Sequence, residues 1–518
     1  MASRPTAHQS SDAHEAARKR VVSRLNKARQ NRQMVEAVLD DCYRYALPGR
    51  AGFSGKRAMH DMEDLYDHTA VVALEDFASL LHARVTPYHT AWVRLEANER
   101  VHPDDRDAVN RDLEEIQNLM FDEIHSSNFG QEAQEAFLDL GCSTGHMLVE
   151  EWRGQLIHTA IPLTQVYPER GVRDQVGGIF REREMPLRLL EAEYPNGMFE
   201  GDLAKQMANE PEKEVTVIDG MWHEHKGGIA GHETVMVQTG HGTGHIIRDR
   251  DFRGYGSVPF MGYRWSKAAG EVLGRGPIMK VLPGVRTTNL VMEMTLQNAA
   301  LALSGMYALD DDGVVNIDTI RIAPGVIIPR RPGTRGLERI DMGGTEFRIS
   351  DIILSDQRND IRNATFSDAL GSPDKTPFKA TEVEARMQMH AERVSANFGR
   401  LRSEMLEPYI RRILWLLERR RDIKLPVPIS MIRIEPTGPL ARAIKANAIN
   451  SIMTYVNLRQ MIWGPQYAPM SLHEERTDAV IREMLSVPLA VRATKAEMEE
   501  NMEQAQTVAT MAQASQAM

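Results

Sequence analysis

The sequence predicts an α+β fold that is mainly helical, and three observations carry that prediction. In Ala380–Arg421, apolar residues recur at Val383, Met387, Ala391, Val394, Phe398, Leu401, Met405, Tyr409, Ile413 and Leu417. Steps of three and four residues are the period of one helix face. At 1.5 Å per residue this helix would run roughly 60 Å. Pro408 falls inside it and is expected to kink it, because the ring clashes with the carbonyl four residues back. Residues 141–264 differ in character, with alternating or β-branched runs separated by turn residues such as Asn196-Gly197 and Gly227-Gly228. That pattern predicts an antiparallel β-rich part. Helical patterns flank it on both sides.

Taken in order, residues 1–12 are polar and are expected to be disordered. A helical pattern runs from Ala13 to Tyr45 and stops at Leu47-Pro48-Gly49-Arg50. A second spans Asp61–Arg84 and stops at Thr86-Pro87; Ala91–Leu95, with Trp92, then reads as a short strand. A third, Asp104–Ser126, follows Pro103 and carries acidic residues suited to the positive end of a helix. A fourth covers Gly130–Leu140. Strands are expected at Gly145–Trp152, Gln155–Ile161, Gly178–Arg183, Glu214–Glu224, Thr234–Thr239, His245–Arg248 and Val258–Arg264, with one helix at Pro186–Tyr194 between them.

Gly274-Arg-Gly-Pro277 marks the next boundary, because two glycines and a proline suit a turn entering a helix. The helix Gly284–Ser304 has only Arg286 and Glu293 as charges. Thr287, Thr288, Asn289, Gln297 and Asn298 make a membrane span costly, so packing against copies of itself is expected. Residues 305–346 are turn-rich, with strands at Val314–Ile322 and Gly325–Ile328. A helix at Ser350–Phe366 and a loop at Ser367–Pro377 lead into the long helix. Beyond that, Ile423–Ile434 holds strand-like pieces split by Pro426 and Pro428. Helices are expected at Leu440–Trp463 and His473–Leu485, before a Met-, Ala- and Gln-rich end from Lys495 to Met518.

A chain of 518 residues is long enough for several cores. Two cysteines, Cys42 and Cys142, give no disulfide framework and suit a reducing cytosol. The first twenty residues lack the apolar core of a signal peptide, and no run of 18 apolar residues is present to span a bilayer. A net charge of −10 argues against a protein that grips nucleic acid over its whole surface.

Signals for catalysis are weak. His223-Glu-His225, with His232, His241 and His245, could ligate zinc. The first two lie two apart on an expected strand, without an HExxH helix or a cysteine pair, so solvated histidines are the plainer expectation. Gly141-Cys-Ser-Thr-Gly-His146 has the outline of a nucleophile turn but no orienting group. Asp310-Asp-Asp-Gly313 lacks the spacing of a calcium loop. No phosphate-cradling GxxxxGK[ST] occurs. No metal or other cofactor is expected.

The most specific stretch is the loop Asp368-Ala-Leu-Gly-Ser-Pro-Asp-Lys-Thr-Pro377 followed by Lys379-Ala-Thr-Glu-Val-Glu-Ala-Arg386 and the long helix. It resembles the tunnel-loop-to-wing junction of viral portal proteins. The helix, proline turn and Trp92 strand resemble the N-terminal wing of the same family. The whole chain therefore resembles the portal (head-to-tail connector) proteins of short-tailed double-stranded DNA bacteriophages, over Ala13–Arg421 and most closely over Gly274–Arg421.

That resemblance implies a portal fold with a disordered N-terminus at 1–12 and a wing at 13–273, the latter containing a β-rich insertion at 141–264. It further implies a first stem helix at 274–304, a clip at 305–346, a second stem helix at 347–366 and a tunnel loop at 367–379. A long kinked wing helix at 380–421, a crown with C-terminal helices at 422–494 and a tail at 495–518 complete it. It also implies a closed ring of about 12 identical subunits at one capsid vertex. Through that ring double-stranded DNA would pass non-specifically during packaging and ejection. The clip would dock the terminase large subunit and then tail adaptor proteins, and the wing would meet major capsid and scaffold proteins. Such a protein is not an enzyme, does not enter a membrane, and resides in the virion after assembly in the host cytoplasm.

Phosphate contacts, sequence-independent and salt-sensitive, would fall to Lys375 and Lys379 in or beside the tunnel loop. Arg358 and Arg362, four apart on one face of the second stem helix, would join them. Arg330, Arg331, Arg335 and Arg339 would dock an acidic surface at the clip. A ring of twelve would carry on the order of −120 charges, discouraging tight adsorption of DNA to its wall. Two readings from other classes stand beside this one: a metal-dependent hydrolase using the His223–His245 region, and a helical scaffold without a channel.

Overall fold

The computed structural model describes residues 7–50, 52–53, 62–224, 228–240, 243–304, 306–308, 338–340, 346–367 and 394–464. It is a mixed helix-and-sheet fold, mainly helical. The N-terminal pattern divides into α1 (Ala7–Gln33) and α2 (Glu36–Ala46). α1 buries a narrow face, Ala17, Val21, Leu25 and Ala28, against a β-sheet, whereas Leu39, Cys42 and Tyr43 of α2 enter the helical core. One straight helix cannot serve both surfaces, which accounts for the break at Met34–Val35.

α3 (Thr69–Val85) starts eight residues later than its periodicity suggests, because the backbone of residues 66–67 is bonded to Asn289 instead of forming a helical turn. β1 (Val93–Ala97), α4 (Arg106–Ser126) and α5 (Phe129–Cys142) follow. The β-rich part is antiparallel, as expected, and forms two sheets. Its elements are β2 (Thr144–Trp152), β3 (Gln155–Ala160), β4 (Val166–Arg170), β5 (Val176–Pro186), α6 (Leu190–Glu193), α7 (Gly201–Asn209), β6 (Glu214–His223), β7 (Ile229–Gly240), β8 (Thr243–Arg253) and β9 (Phe260–Arg264).

One sheet has the order β3-β2-β9 and the other β4-β5-β6-β7-β8. β4 contains Pro168, which an edge strand tolerates because one side of its ladder stays unpaired. α1 covers one face of the five-stranded sheet, around Phe180, Ile218, Trp222 and Met236. α6 and α7 cover part of the other face through Leu190, Tyr194 and Leu203. The three-stranded sheet meets that second face through Leu148 and Phe260 against Ile179 and Met221.

α8 (Pro277–Ser304) begins at the proline of the boundary motif and carries Pro283 inside it. β10 (Met306–Ala308) and β11 (Glu338–Ile340) pair antiparallel, and α9 (Glu346–Thr365) returns beside α8. The strands expected at Val314–Ile322 and Gly325–Ile328, the loop Asp368–Pro377, residues 380–393 and the helix His473–Leu485 lie outside the described residues.

The remainder of the long helix is α10 (394–401), a π-helical turn at Arg402–Leu406 and α11 (Glu407–Arg420). Glu407 N–H bonds Arg402 O across the widened turn. Pro408 has no N–H for the carbonyl of Glu404, and the π turn absorbs the mismatch immediately before it. The disturbance expected from Pro408 therefore takes the form of a π turn.

β12 (Ile432–Pro436) pairs antiparallel with β1, Leu95 opposite Ile434, and α12 (Pro439–Trp463) follows. The main core joins both ends of the chain: Phe77, Trp92 and Phe129 pack with Tyr409, Ile413 and Ile434. Among the described residues no helix is long and apolar enough to cross a membrane.

Candidate functional site

The start of α8 is joined to the α5–β2 corner by two sequence motifs. Ser143 Oγ donates to Gly274 O at 2.7 Å, and Gly274 N–H donates to Thr144 Oγ1 at 2.8 Å. Gly276 N–H reaches Cys142 O at 3.2 Å. A Cβ on Gly276 would run into the Gly141 carbonyl, so glycine is required by close approach. Gly141-Cys-Ser-Thr-Gly-His146 is thus a structural socket for Gly274-Arg-Gly-Pro277. Burial pushes the Cys142 thiol well above its usual range and lowers His146 to about 3, which suits neither a nucleophile nor a base.

Farther along α8, Asn289 Oδ1 accepts from Tyr66 N–H at 2.8 Å and Asp67 N–H at 3.2 Å, and its Nδ2 donates to Asp64 O at 3.1 Å. Arg286 pairs with Asp41 of α2. On α9, Arg358 Nε donates to Asp67 Oδ2 at 2.8 Å, while Thr69 N–H donates to Asp67 Oδ1 at 2.9 Å. Burial opposes the Asp67 charge, but the Thr69 and Arg358 bonds outweigh it and hold the carboxyl below its ordinary value. Ser367 Oγ, at the end of α9, donates to Ala73 O of α3 at 3.3 Å. A cleft of about 350 Å³ lies at this junction, lined by Asp67, His68, Asp76, Arg358 and Arg362 among others.

Of the sequence-derived residues, Arg358 is therefore engaged with Asp67, and Arg362, one turn on, is exposed. Arg339 lies on β11 opposite Tyr307. Lys375, Lys379, Arg330, Arg331 and Arg335 lie outside the described residues. Asp67 carries no sequence signal, whereas Asn289 and the Ser143-Thr144 pair stand out in sequence without their role as anchors being legible there. The usable signal is a group of polar residues, Asn289 among them, inside a helix with few charges.

Among the described residues the histidines do not converge. His223 packs against the Phe260 ring at 5.2 Å, and His245 faces Val237 across the β7–β8 ladder. His232 is not a solvated histidine, contrary to expectation. It is 9 % exposed and held between Asp249 and Asp251. His225 and His241 lie outside the described residues. Among those described, no three His, Cys, Asp or Glu side chains form a group able to hold a metal ion.

The subunit also exposes apolar side chains on the paired helices: Leu290, Met294 and Leu296 of α8, and Ile352 and Ile353 of α9. A lone helical pair in water would gain by covering them.

The pattern of the bacteriophage head to tail connecting proteins matches residues 18–488. The chain belongs to that family. Among solved structures it is similar to a chain from the neck of an empty gene transfer agent particle computed with C6 symmetry. The two share 10 % identity over 85 % of this chain and 96 % of that one, with a TM-score of 0.40. It is likewise similar to a chain from the virion of a native gene transfer agent particle, at 11 % identity over 82 % and 92 % of the two chains and a TM-score of 0.36. No curated protein matches the sequence.

Proposed function

We propose that the protein is a portal: a closed ring of about 12 copies, joined head to tail around an axis, that forms the DNA channel at one capsid vertex. The observation that carries this reading, together with the family, is the α8–α9 pair. It buries Leu282, Val285, Leu354 and Ile361 and exposes Leu290, Met294, Leu296, Ile352 and Ile353, side chains that lateral neighbours would cover. In this reading α8 and α9 are the two stem helices, and residues 305–346 are the clip. Residues 367–379 form the tunnel loop, 380–421 the long wing helix and 422–494 the crown.

Double-stranded DNA passes inward during packaging and outward during ejection. Lys375, Lys379 and Arg362 make transient phosphate contacts, while Arg358 sets the stem against the wing through Asp67. Arg330, Arg331, Arg335 and Arg339 dock the acidic face of the terminase large subunit and later of tail adaptors. The wing meets capsid and scaffold proteins, the finished ring resides in the virion of a short-tailed phage, and the protein performs no catalysis of its own.

Native mass spectrometry with negative-stain imaging of the purified chain tests the reading. A closed ring of about 12 subunits with an axial hole is the expected result. A stable dimer or trimer without a hole would overturn it.

A further inference from the structure

His232 lies on β7 where α1 crosses the five-stranded sheet. Register places Trp222 of β6 on one side of it and Asp251 of β8 on the other, and two residues along Thr234 faces Asp249. His232 Nδ1 is 2.7 Å from Asp251 Oδ1, and Nε2 is 2.8 Å from Asp249 Oδ1. The Trp222 ring centroid is 4.8 Å from that of the imidazole. From α1, Arg20 brings an Nη to 2.8 Å from the same Nε2 and to 3.5 Å from Asp249. Arg24 lies over the Trp222 ring at 4.1 Å and bonds Glu169. Glu233, the next acid on β7, pairs with Arg248 and Arg250. The charged groups around the imidazole are therefore Arg20 and Arg24 from α1 and Asp249 and Asp251 from β8.

Nε2 also lies 3.1 Å from Thr234 Oγ1, and this one nitrogen cannot serve both Arg20 and Asp249. A guanidinium has only donors, so Arg20 bonds Nε2 only when that atom carries a lone pair; a carboxylate needs Nε2–H. We propose that protonation of His232 is a switch on the attachment of the N-terminal helix α1 to the five-stranded sheet. When the ring is neutral, Nδ1–H donates to Asp251, Nε2 accepts from Arg20, and α1 is tied down. When it is charged, Nε2–H turns to Asp249 and the imidazolium repels Arg20.

The rest of the α1 attachment makes this contact matter. Among the described side chains its buried apolar face is narrow, Ala17, Val21, Leu25 and Ala28, and further ties are Arg24 to Glu169, Arg29 to Glu182, and Arg32 to the carbonyls of Thr164 and Val166. The three arginine ties lie on the C-terminal side of Arg20, so the His232 contact bears on the N-terminal part of the helix. Burial disfavours the ring's charge, yet the bonds to Asp249 and Asp251 prevail and set its pKa above the ordinary 6.5, while the Arg20 charge pulls the other way. Because Arg20 lowers the proton affinity only while α1 is attached, linkage requires that acid favour the detached helix.

Hydrogen exchange of the backbone amides of residues 14–24 in the full-length protein, corrected for intrinsic rates, tests this between pH 5.5 and 8.5. The expected result is exchange about fivefold faster at the acid end, with a midpoint above pH 6.5. His232→Gln should flatten the profile. Asp251→Asn should move the midpoint down, since it removes one carboxylate that favours the charged ring. A wild-type profile independent of pH would overturn the proposal, as would an unchanged profile in His232→Gln. Should that variant fail to fold, an unmoved midpoint in Asp251→Asn would overturn it equally.

Discussion

Arg358 of α9 closes on Asp67, the residue two before α3, with an Nη 2.7 Å from Oδ2. The Asp67 side chain is 5 % exposed and that of Arg358 29 %, so the carboxylate is the costlier group to strand. Arg358→Ala should destabilise the subunit by roughly 2–4 kcal/mol, the usual range for leaving a buried charge without its partner. Arg362→Ala, at an exposed position on the same helix face, should cost less than about 0.5 kcal/mol. Thermal unfolding of the two variants side by side checks the difference. Equal effects would mean that the ion pair holds nothing.

Asp139 gives the fold a pH dependence of known sign. It is buried on α5, accepting from Tyr43 Oη at 2.6 Å, Arg50 at 3.2 Å and Leu163 N–H at 3.1 Å. Burial raises its carboxyl to about 6, more than Arg50 and Tyr43 can offset. A group whose pKa is raised on folding adds stability below its unfolded value, and that stability is lost as pH climbs through the folded value. Asp139 should therefore weaken the fold between about pH 4 and 6, by on the order of 3 kcal/mol. Denaturant midpoints of wild type and Asp139→Asn across that window should diverge toward the higher pH, with the variant flatter.

His146 acts in the opposite direction. Both of its ring nitrogens are buried without a hydrogen-bond partner among the described residues, and burial lowers its pKa to about 3. The neutral ring stabilises the fold above pH 6.5, and that contribution is lost as pH falls toward 3. His146→Leu removes two unsatisfied polar atoms. It should leave stability at pH 7 unchanged or raise it by about 1 kcal/mol, and should reduce acid sensitivity. A loss above about 2 kcal/mol at pH 7 would mean that the imidazole is bonded after all.

The joint under α8 should tolerate no side chain. Gly276→Ala drives a methyl into the Gly141 carbonyl, which is backbone and cannot turn aside. Loss of soluble protein, or a large drop in melting temperature, is expected. Gly154→Ala is the control: its φ is +80° but no atom lies within 4 Å of the added Cβ, so only backbone strain of about 1 kcal/mol is at stake.

Leu290 and Met294 are 49 % and 53 % exposed one turn apart on α8. If the proposed ring forms, replacing both with Gln should leave the melting of the chain within about 0.5 kcal/mol of wild type and shift mass from rings to monomers. Mass photometry across protein concentration reads that shift. Rings as stable as wild type would place the lateral contact elsewhere.

Most elements could be read in the chain because their apolar residues keep helix or strand period. The seven strands expected between 145 and 264 all exist. β4 escaped notice because Pro168 masks its pattern, and only its edge position makes that proline harmless. The division of α1 from α2 escaped because both halves have helical period and differ only in what they pack against. The pairing of β1 with β12 joins segments with no local signal for each other. At the site, Arg358 was legible as a helix arginine, but its partner Asp67 is far away in sequence. The socket at Cys142–Thr144 was legible as an unusual motif but not as the binding place of Gly274–Pro277, since that fit depends on two glycines meeting in space. The burial of His232 has no sequence signal, because strand alternation does not reveal which face a crossing helix will cover.

The β1–β12 ladder has a consequence for how each subunit is made. Val93–Ala97 waits for Ile432–Pro436, about 340 residues later, or roughly 20–70 s of synthesis at about 5–20 residues per second. Throughout that interval Trp92, Phe129 and their neighbours lack Tyr409 and Ile434, the side chains that close over them. Each nascent chain thus carries this part of its core uncovered until Ile432–Pro436 has been made, so synthesis time sets the earliest moment at which the core can close.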